Sequence, residues 1–279
     1  MKQTRRDFLQ FSITAAGISA LGMPAFAQNG GKDLVIAYNT GLPSWDPTTG
    51  PSAVNPKLQA LYLSVFDRFI QQEPDLSFSP GLLTEWGFTD DNKKVRMVVR
   101  EGVKWHDGSD LTAEDVAWSL QRAGDPATGN PGQFVWKNLA NFKVDGNVVT
   151  ADVVQFEPTI FKWMAFLTGY VLPKAYYEKV GAEGFEKAPI GTGPYKLDAY
   201  ERGAYMRLVA NEDYWGGKPA FETVTIKFVP DAASRVAEIE SGNAQVTMEI
   251  PYEEFDRLKE KPGLKGEAFP IADVGMIFL

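Results

Sequence analysis

Cysteine is absent from all 279 residues of the chain. A chain without cysteine has no disulfide bonds and none of the thiolate sites that hold zinc, so its fold must be stabilised by its apolar core. The length, together with a hydrophobic content of 44%, is sufficient for such a core. A sizeable packed fold is therefore expected, and a small disulfide scaffold is excluded.

The first 27 residues have the features of an export signal. Basic residues precede an apolar run from Phe11 to Met23, which closes on the small-residue pattern Ala25-Phe26-Ala27. The stretch from Thr4 to Leu9 resembles the twin-arginine consensus, which predicts export in the folded state, and an ordinary secretory signal is the alternative. The apolar run is shorter than the roughly 20 residues that a membrane span needs. Residues 1–27 are therefore predicted to be a signal peptide.

The negative net charge of the chain and its lack of cysteine restrict where the protein can reside and what it can bind. Without cysteine there is no attachment point for a lipoprotein anchor, so we expect a protein with no stable membrane anchor. A free exported protein is retained by an outer membrane, which favours a Gram-negative periplasm, and we expect a monomer there. The formal net charge is -8, and removing residues 1–27, which carry three basic residues and one acidic residue, leaves -10. Such a chain repels phosphate backbones and anionic lipids, so nucleic acid is not an expected partner.

Turn chemistry and periodicity predict the secondary structure. Alternating segments predict three hairpins, with turns at Asp90-Asp91-Asn92, Asp145-Gly146 and Arg202-Gly203. An apolar stripe at steps of three and four predicts a helix from about residue 55 to residue 70. Thr112 followed by Asp115 predicts a capped helix start.

The C-terminal third predicts a parallel β-α-β unit. Its parts are a strand over residues 223–229, a helix that Asp231 caps and Gly242 ends, and a strand over residues 245–250. The apolar run Gly275 to Leu279 carries no turn and no charged tail, and we interpret it as a strand cut short.

Catalytic patterns are scarce in this sequence. The single histidine, His106, lies in a predicted turn and is interpreted as a packing residue, and no phosphate-binding loop occurs. We therefore predict no catalytic residues, no metal and no cofactor. One enzymatic alternative remains, a periplasmic glycoside hydrolase that uses a pair of carboxylates from among Asp110, Glu114 and Asp115. Glu114 and Asp115 fall in the first turn of a helix, where negative charge is favoured for structural reasons.

Several motifs match one family of binding proteins in order and spacing. They are LTEW (83–86), VREGVKWHDG (99–108), LTAEDV (111–116), PIGTGPY (189–195), NEDYWGGKP (211–219), SWDP (44–47) and ESG (240–242). Together these motifs resemble the signature of the family 5 solute-binding proteins, the peptide and nickel class, over essentially the whole mature chain.

The resemblance implies an α/β fold of the type II periplasmic-binding-protein class, in which two lobes close on a ligand. It assigns residues 28–54 and 168–272 to lobe I and residues 55–167 to an inserted α+β subdomain. Residues 273–279 would begin the crossover to lobe II, which is expected to be largely missing from this sequence. An inactive fragment of a binding protein is therefore a further hypothesis.

The same resemblance implies a non-enzymatic component of an ABC importer, which binds peptides or similar small solutes between its lobes and delivers them to the permease. The ligand-contact candidates that follow from it are Thr48, Thr49, Gly50, Pro51, Ser52, Phe134, Trp136, Met248, Glu249 and Ile250. Glu249, if it lies in the cleft, would favour a cationic or amino-bearing solute, and a solvated strand end is the alternative.

Overall fold

The computed structural model describes residues 32–268, which form five-, four- and two-stranded sheets with helices between them. The strands are β1 Asp33–Tyr38, β2 Ile70–Gln72, β3 Phe78–Pro80, β4 Leu83–Thr89, β5 Lys94–Val99, β6 Leu139–Asp145, β7 Val148–Val153, β8 Tyr195–Glu201, β9 Tyr205–Ala210, β10 Thr223–Phe228 and β11 Val246–Thr247. The α-helices are α1 Gln59–Val65, α2 Ala113–Gly124, α3 Gln133–Trp136, α4 Ile160–Met164, α5 Lys174–Lys187, α6 Ala232–Glu240 and α7 Tyr252–Lys259. The predicted signal peptide, residues 1–27, and the predicted crossover, residues 273–279, lie outside the described residues.

The five-stranded sheet has the order β11-β1-β10-β9-β8. β1 is parallel to both β10 and β11, and the remaining pairs are antiparallel. Helix α6 connects β10 to β11, so the predicted parallel β-α-β unit is confirmed, with β1 between its two strands. The carboxyl ends of three parallel strands therefore meet at one edge of this sheet.

The four-stranded antiparallel sheet has the order β4-β5-β7-β6. All three predicted hairpins are present, two of them in this sheet. In the β4–β5 turn, Asp90, Asp91 and Asn92 all have positive φ, which Asp and Asn tolerate better than other non-glycine residues. The hairpin follows directly from that turn chemistry.

The predicted capping box at the start of α2 is confirmed. The Asp115 amide donates to Thr112 Oγ1 at 3.4 Å, and the Thr112 amide donates back to Asp115 Oδ2 at 2.9 Å. The other carboxylate oxygen of Asp115 accepts the Lys174 amide at 2.9 Å. One buried carboxylate thus fixes the first turns of both α2 and α5.

Helix α1 is shorter than predicted, because it ends at Val65 and not near residue 70. The Gly193 amide donates to the Val65 carbonyl at 2.9 Å, and a Cβ at Gly191 would lie 2.0 Å from the same oxygen. A glycine loop from elsewhere in the chain therefore packs directly on the helix C-terminus. Periodicity within the helix carries no signal for such a partner.

Two large apolar clusters divide the described chain. One includes Val116 and Leu120 of α2 with the four-stranded sheet, and the other includes Leu61 and Tyr62 of α1 with the five-stranded sheet. The predicted subdomain bounds, residues 55–167, stay a prediction. Because α1 packs on the five-stranded sheet, we propose that the inserted subdomain begins after Phe66.

His106 is bonded to the glycine loop 191–193 through both of its ring nitrogens. The Gly191 amide donates to Nδ1 at 3.2 Å, and Nε2 donates to the Gly193 carbonyl at 3.0 Å. This arrangement requires the neutral ring with its proton on Nε2. Burial lowers the pKa of His106 from 6.5 to about 4, and the nearby Lys196 acts in the same direction.

The pH dependence of stability tests this role of His106. In the unfolded chain the imidazole has a pKa of about 6.5, whereas in the folded protein it is protonated only near pH 4. The free energy of unfolding should therefore fall by roughly 2 to 3 kcal/mol as the pH drops through this window. In urea denaturation, the free energy of unfolding of His106→Gln should be well below that of the wild type at pH 7 and close to it at pH 4.5. Parallel pH profiles for the two proteins would contradict this role.

Candidate functional site

Arg235 organises the edge at which the parallel strands end. This arginine is 3% exposed, and its guanidinium donates to the carbonyls of Val229 at 2.9 Å, Pro230 at 2.7 Å and Glu249 at 2.9 Å. The chains that follow β10 and β11 are therefore held together by charge-assisted hydrogen bonds.

The second strand of the β-α-β unit stops earlier than predicted. The sequence predicts a strand that reaches Ile250, but β11 ends at Thr247. The Arg235 guanidinium donates hydrogen bonds to the carbonyls of Met248 and Glu249. Glu249 adopts a positive φ of 54°. Backbone in that conformation cannot continue a β-ladder.

The Glu249 carboxylate is the centre of a polar cluster at this edge. Its Oε2 accepts hydrogen bonds from Asn39 Nδ2, directly after β1, and from Lys57 Nζ at 2.8 Å. Tyr38 donates its hydroxyl to the Lys57 carbonyl, and burial, reinforced by the Glu249 charge, raises the pKa of Tyr38 to about 12. The negative charge of Glu249 is therefore balanced within the chain.

A cavity of about 420 Å³ opens beside the segment that follows β1. Its walls come from three parts of the chain, and they include Thr40, Gly41, Leu42, Asn55, Arg202 and Gly203. The Tyr200 hydroxyl donates to the Leu42 carbonyl and so holds the β8–β9 hairpin against that segment. Of the described residues that line the cavity, Arg202 alone is charged.

Glu186 of α5 fixes the start of the loop that carries the ligand candidates 48–52. The Glu186 carboxylate accepts the Ser44 hydroxyl and the backbone amides of Trp45 at 2.9 Å and Asp46 at 3.3 Å. Three donors on one carboxylate leave this part of the loop little freedom.

Arg122 of α2 holds the next part of the same loop. Its guanidinium donates to Asp46 Oδ2 and to Thr48 Oγ1, each at 2.7 Å, and to the Tyr177 hydroxyl at 2.8 Å. The Arg122 and Asp46 side chains are only 12% and 7% exposed. This buried ion pair anchors the loop to helix α2.

The predicted loop contacts therefore have different environments. Thr48 is buried and its hydroxyl is bonded to Asp46 and Arg122. Thr49 and Gly50 are half-buried, Pro51 is exposed, and Ser52 lies in the short 3-10 turn 51–54. The Gly50 amide donates to the Gly129 carbonyl at 3.2 Å, so this end of the loop approaches the subdomain.

The two aromatic candidates of the subdomain also differ. Trp136 is 1% exposed, belongs to the apolar core, and donates its indole N–H to Thr168 Oγ1 at 3.1 Å. Phe134 is 55% exposed and packs edge-on against Trp163, with ring centroids 5.4 Å apart. Phe134 is therefore accessible to a solute, whereas Trp136 supports the fold from inside.

The carboxylates of the hydrolase alternative have structural partners or lie in solvent. Asp110 pairs with Lys104 at 2.5 Å, Asp115 caps α2 and α5, and Glu114 is exposed. Within residues 32–268, no three His, Cys, Asp or Glu side chains come together as a metal-binding group. No helix in that same range has the length and apolar character needed to cross a bilayer.

Solved structures with the same fold define the class of protein. The chain is similar to MoaA of A. tumefaciens R10, solved with mannopinic acid, at a TM-score of 0.76 and 23% identity, covering 83% of this chain and 48% of that one. It is also similar to a dipeptide-binding protein of Pseudoalteromonas sp. SM9913, solved with Met-Leu, at a TM-score of 0.75 and 24% identity, covering 82% and 50%. The fold is that of the type II periplasmic binding proteins, as predicted.

The family of bacterial extracellular solute-binding proteins, family 5, matches residues 77–279, and the chain belongs to this family. Among curated proteins, the glutathione-binding protein GsiB of Escherichia coli (strain K12) is 28% identical over 269 residues. That match covers 93% of this chain and 51% of GsiB. The chain thus spans about half the length of the curated relatives it matches.

Sequence reasoning misses the residues that arrange this site. From the sequence, Arg235 is only a residue within a predicted helix, and Arg202 is only part of a predicted hairpin turn. Neither Glu186 nor Lys57 belongs to any predicted site. Their partners are distant in the chain: Lys57 and Glu249 are 192 residues apart, and Asp46 and Glu186 are 140 apart. Only the folded topology identifies these pairs.

Removing the buried guanidinium of Arg122 should destabilise the protein strongly. We expect Arg122→Gln to lower the free energy of unfolding by about 3 kcal/mol, because Asp46 is left buried without its charge partner. Arg96→Gln, which breaks the exposed pair with Glu85, is the matched control and should cost less than about 1 kcal/mol. Urea denaturation measures both. Similar losses in the two variants would contradict the anchoring role of Arg122.

Proposed function

We propose that this chain forms one wall of the ligand cleft in a periplasmic solute-binding component of an ABC importer. The solute would be a peptide or a similar small molecule, and the monomeric protein would deliver it to the permease. The observation that carries the proposal is the cavity at the carboxyl edge of three parallel strands, in a chain that belongs to family 5. In open α/β sheets, ligands bind at this edge, where neighbouring connections diverge.

The similar proteins support a small-solute ligand. GsiB is named for binding glutathione, and the two solved structures hold Met-Leu and mannopinic acid. The family consists of solute-binding proteins and not of enzymes, which favours binding over the hydrolase alternative.

The proposed contacts keep the candidates of the loop and of the strand end apart from the buried Thr48, together with the exposed Phe134; of these, Pro51 lines the cavity in the described part of the chain. They are Thr49, Gly50, Pro51 and Ser52 of the loop, Phe134 of the subdomain, and Met248, Glu249 and Ile250 at the strand end. Thr48 and Trp136 would act indirectly, since both are buried and hold the neighbouring segments.

Titration with small peptides tests this function. Glutathione and Met-Leu should shift the amide NMR signals of Gly41 and Gly203 saturably, with millimolar affinity, because one wall supplies only part of the burial that a closed cleft provides. Thr40→Trp, which fills the cavity, should abolish the shifts.

Thr89→Trp is the matched control, because Thr89 is exposed at the end of β4, in the other sheet. This variant should titrate like the wild type. If neither peptide shifts the two glycines, or if the shifts survive Thr40→Trp, the cavity is not the solute site.

A further inference from the structure

From the charges around the cavity we infer that this wall recognises an acidic group of the solute, with Arg202 as the residue that binds it. The inference rests on the proposed function and names the chemical class of solute. It reverses the expectation from sequence that Glu249 selects a cationic or amino-bearing solute.

The carboxylate of Glu249 already has a charge partner in Lys57. Lys57 Nζ lies 2.8 Å from its Oε2, and Asn39 donates a further hydrogen bond to the same oxygen. An incoming ammonium group would have to displace Lys57 from a contact that is already formed. Glu249 is also absent from the lining of the cavity, as is Lys57. The pair therefore contributes little net field there.

Arg202 has no charge partner in the part of the chain that the structure describes. Among residues 32–268, no side chain forms an ion pair or hydrogen bond with its guanidinium. The side chain is exposed at the cavity, and its positive charge opposes the burial that raises the pKa of Tyr200. Glu186 acts on Tyr200 in the opposite sense, but its carboxylate is occupied by the loop amides of Trp45 and Asp46.

The backbone beside Arg202 is held against the segment that follows β1. Gly203 has a φ of 78°, which suits glycine, and its Cα lies 3.9 Å from where a Cβ on Gly41 would stand. The Tyr200 hydroxyl donates to the Leu42 carbonyl on the other side of the same contact. The hairpin turn is thus docked on the segment that follows β1, and Arg202 projects from a fixed base.

The chemistry then favours a carboxylate. A guanidinium offers a planar fork of N–H donors that matches the two oxygens of a carboxylate, and it keeps its charge at any physiological pH. Thr40 and Asn55 add polar groups, while Leu42 and Leu58 give the cavity an apolar part. A small acid with an aliphatic portion fits this combination, whereas an amine without an acid group does not.

Two minimal probes separate the acid from the amine. N-acetylglycine carries a carboxylate and no amino group, and glycinamide carries an amino group and no carboxylate. At neutral pH and low salt, N-acetylglycine should shift the amide signals of Gly41 and Gly203 saturably, and glycinamide should not. Arg202→Gln should weaken the binding of N-acetylglycine about tenfold, the ratio expected for one charge-assisted hydrogen bond.

Two further variants control the experiment. Arg202→Lys keeps the charge and loses the fork, so its affinity should lie between those of the wild type and Arg202→Gln. Arg207→Gln removes an exposed arginine of β9 that pairs with Asp198 outside the cavity, and it should bind like the wild type.

The outcomes distinguish this inference from the proposed function. Preference for glycinamide, or unchanged binding by Arg202→Gln, overturns the role of Arg202 while leaving the cavity as a solute site. The role of Arg202 is likewise overturned if neither probe binds but glutathione or Met-Leu does. If none of the four compounds shifts the two glycines, the inference and the proposed function both fail.

Discussion

The buried guanidinium of Arg122 fixes the loop that follows β1 to the helix that lies between the two cores of the described chain. Helix α2 packs Val116 and Leu120 into the core of the four-stranded sheet, while Trp118 packs against the core of the five-stranded sheet. From the last turn of this helix, Arg122 reaches Asp46 in the loop that follows β1. A charge buried without its partner costs several kcal/mol, so helix and loop are stable together in one geometry. That geometry sets the course of the loop past the cavity.

The family motifs have the same physical role, because they join the two cores without disulfides. Asp67 accepts hydrogen bonds from the Thr192 hydroxyl at 2.9 Å, the Tyr214 hydroxyl at 3.0 Å and the Trp215 indole at 2.8 Å. His106 in turn bonds to the glycine loop that contains Thr192. These residues identify the scaffold and do not line the cavity. Motifs that are specific for a family thus carry information about packing and little about the solute.

The sequence predicts the features that depend on neighbours in the chain. The Asp-rich turn of β4–β5, the capping box of Thr112 and the hairpin at Arg202-Gly203 each follow from residues within a few positions of one another. The ends of α1 and β11 cannot be predicted in this way. Helix α1 ends where the Gly193 amide donates a hydrogen bond to the Val65 carbonyl. Strand β11 ends where Arg235 donates hydrogen bonds to the carbonyls of Met248 and Glu249.

The same distinction applies to the site, where it changes the predicted chemistry. From the sequence, Glu249 is predicted as a ligand contact or a solvated strand end, and Arg202 is predicted only as part of a hairpin turn. Folding brings Lys57 to Glu249, which forms an ion pair, and it brings the turn at Arg202 to the cavity. The charge that a solute meets in the described lining of the cavity is therefore the positive charge of Arg202. The negative formal net charge of the sequence does not decide which solute the cavity favours, because charges beyond the Debye length of about 8 to 10 Å are screened. Charges close to the solute therefore count most, and Arg202 is the one charged residue among the described residues that line the cavity.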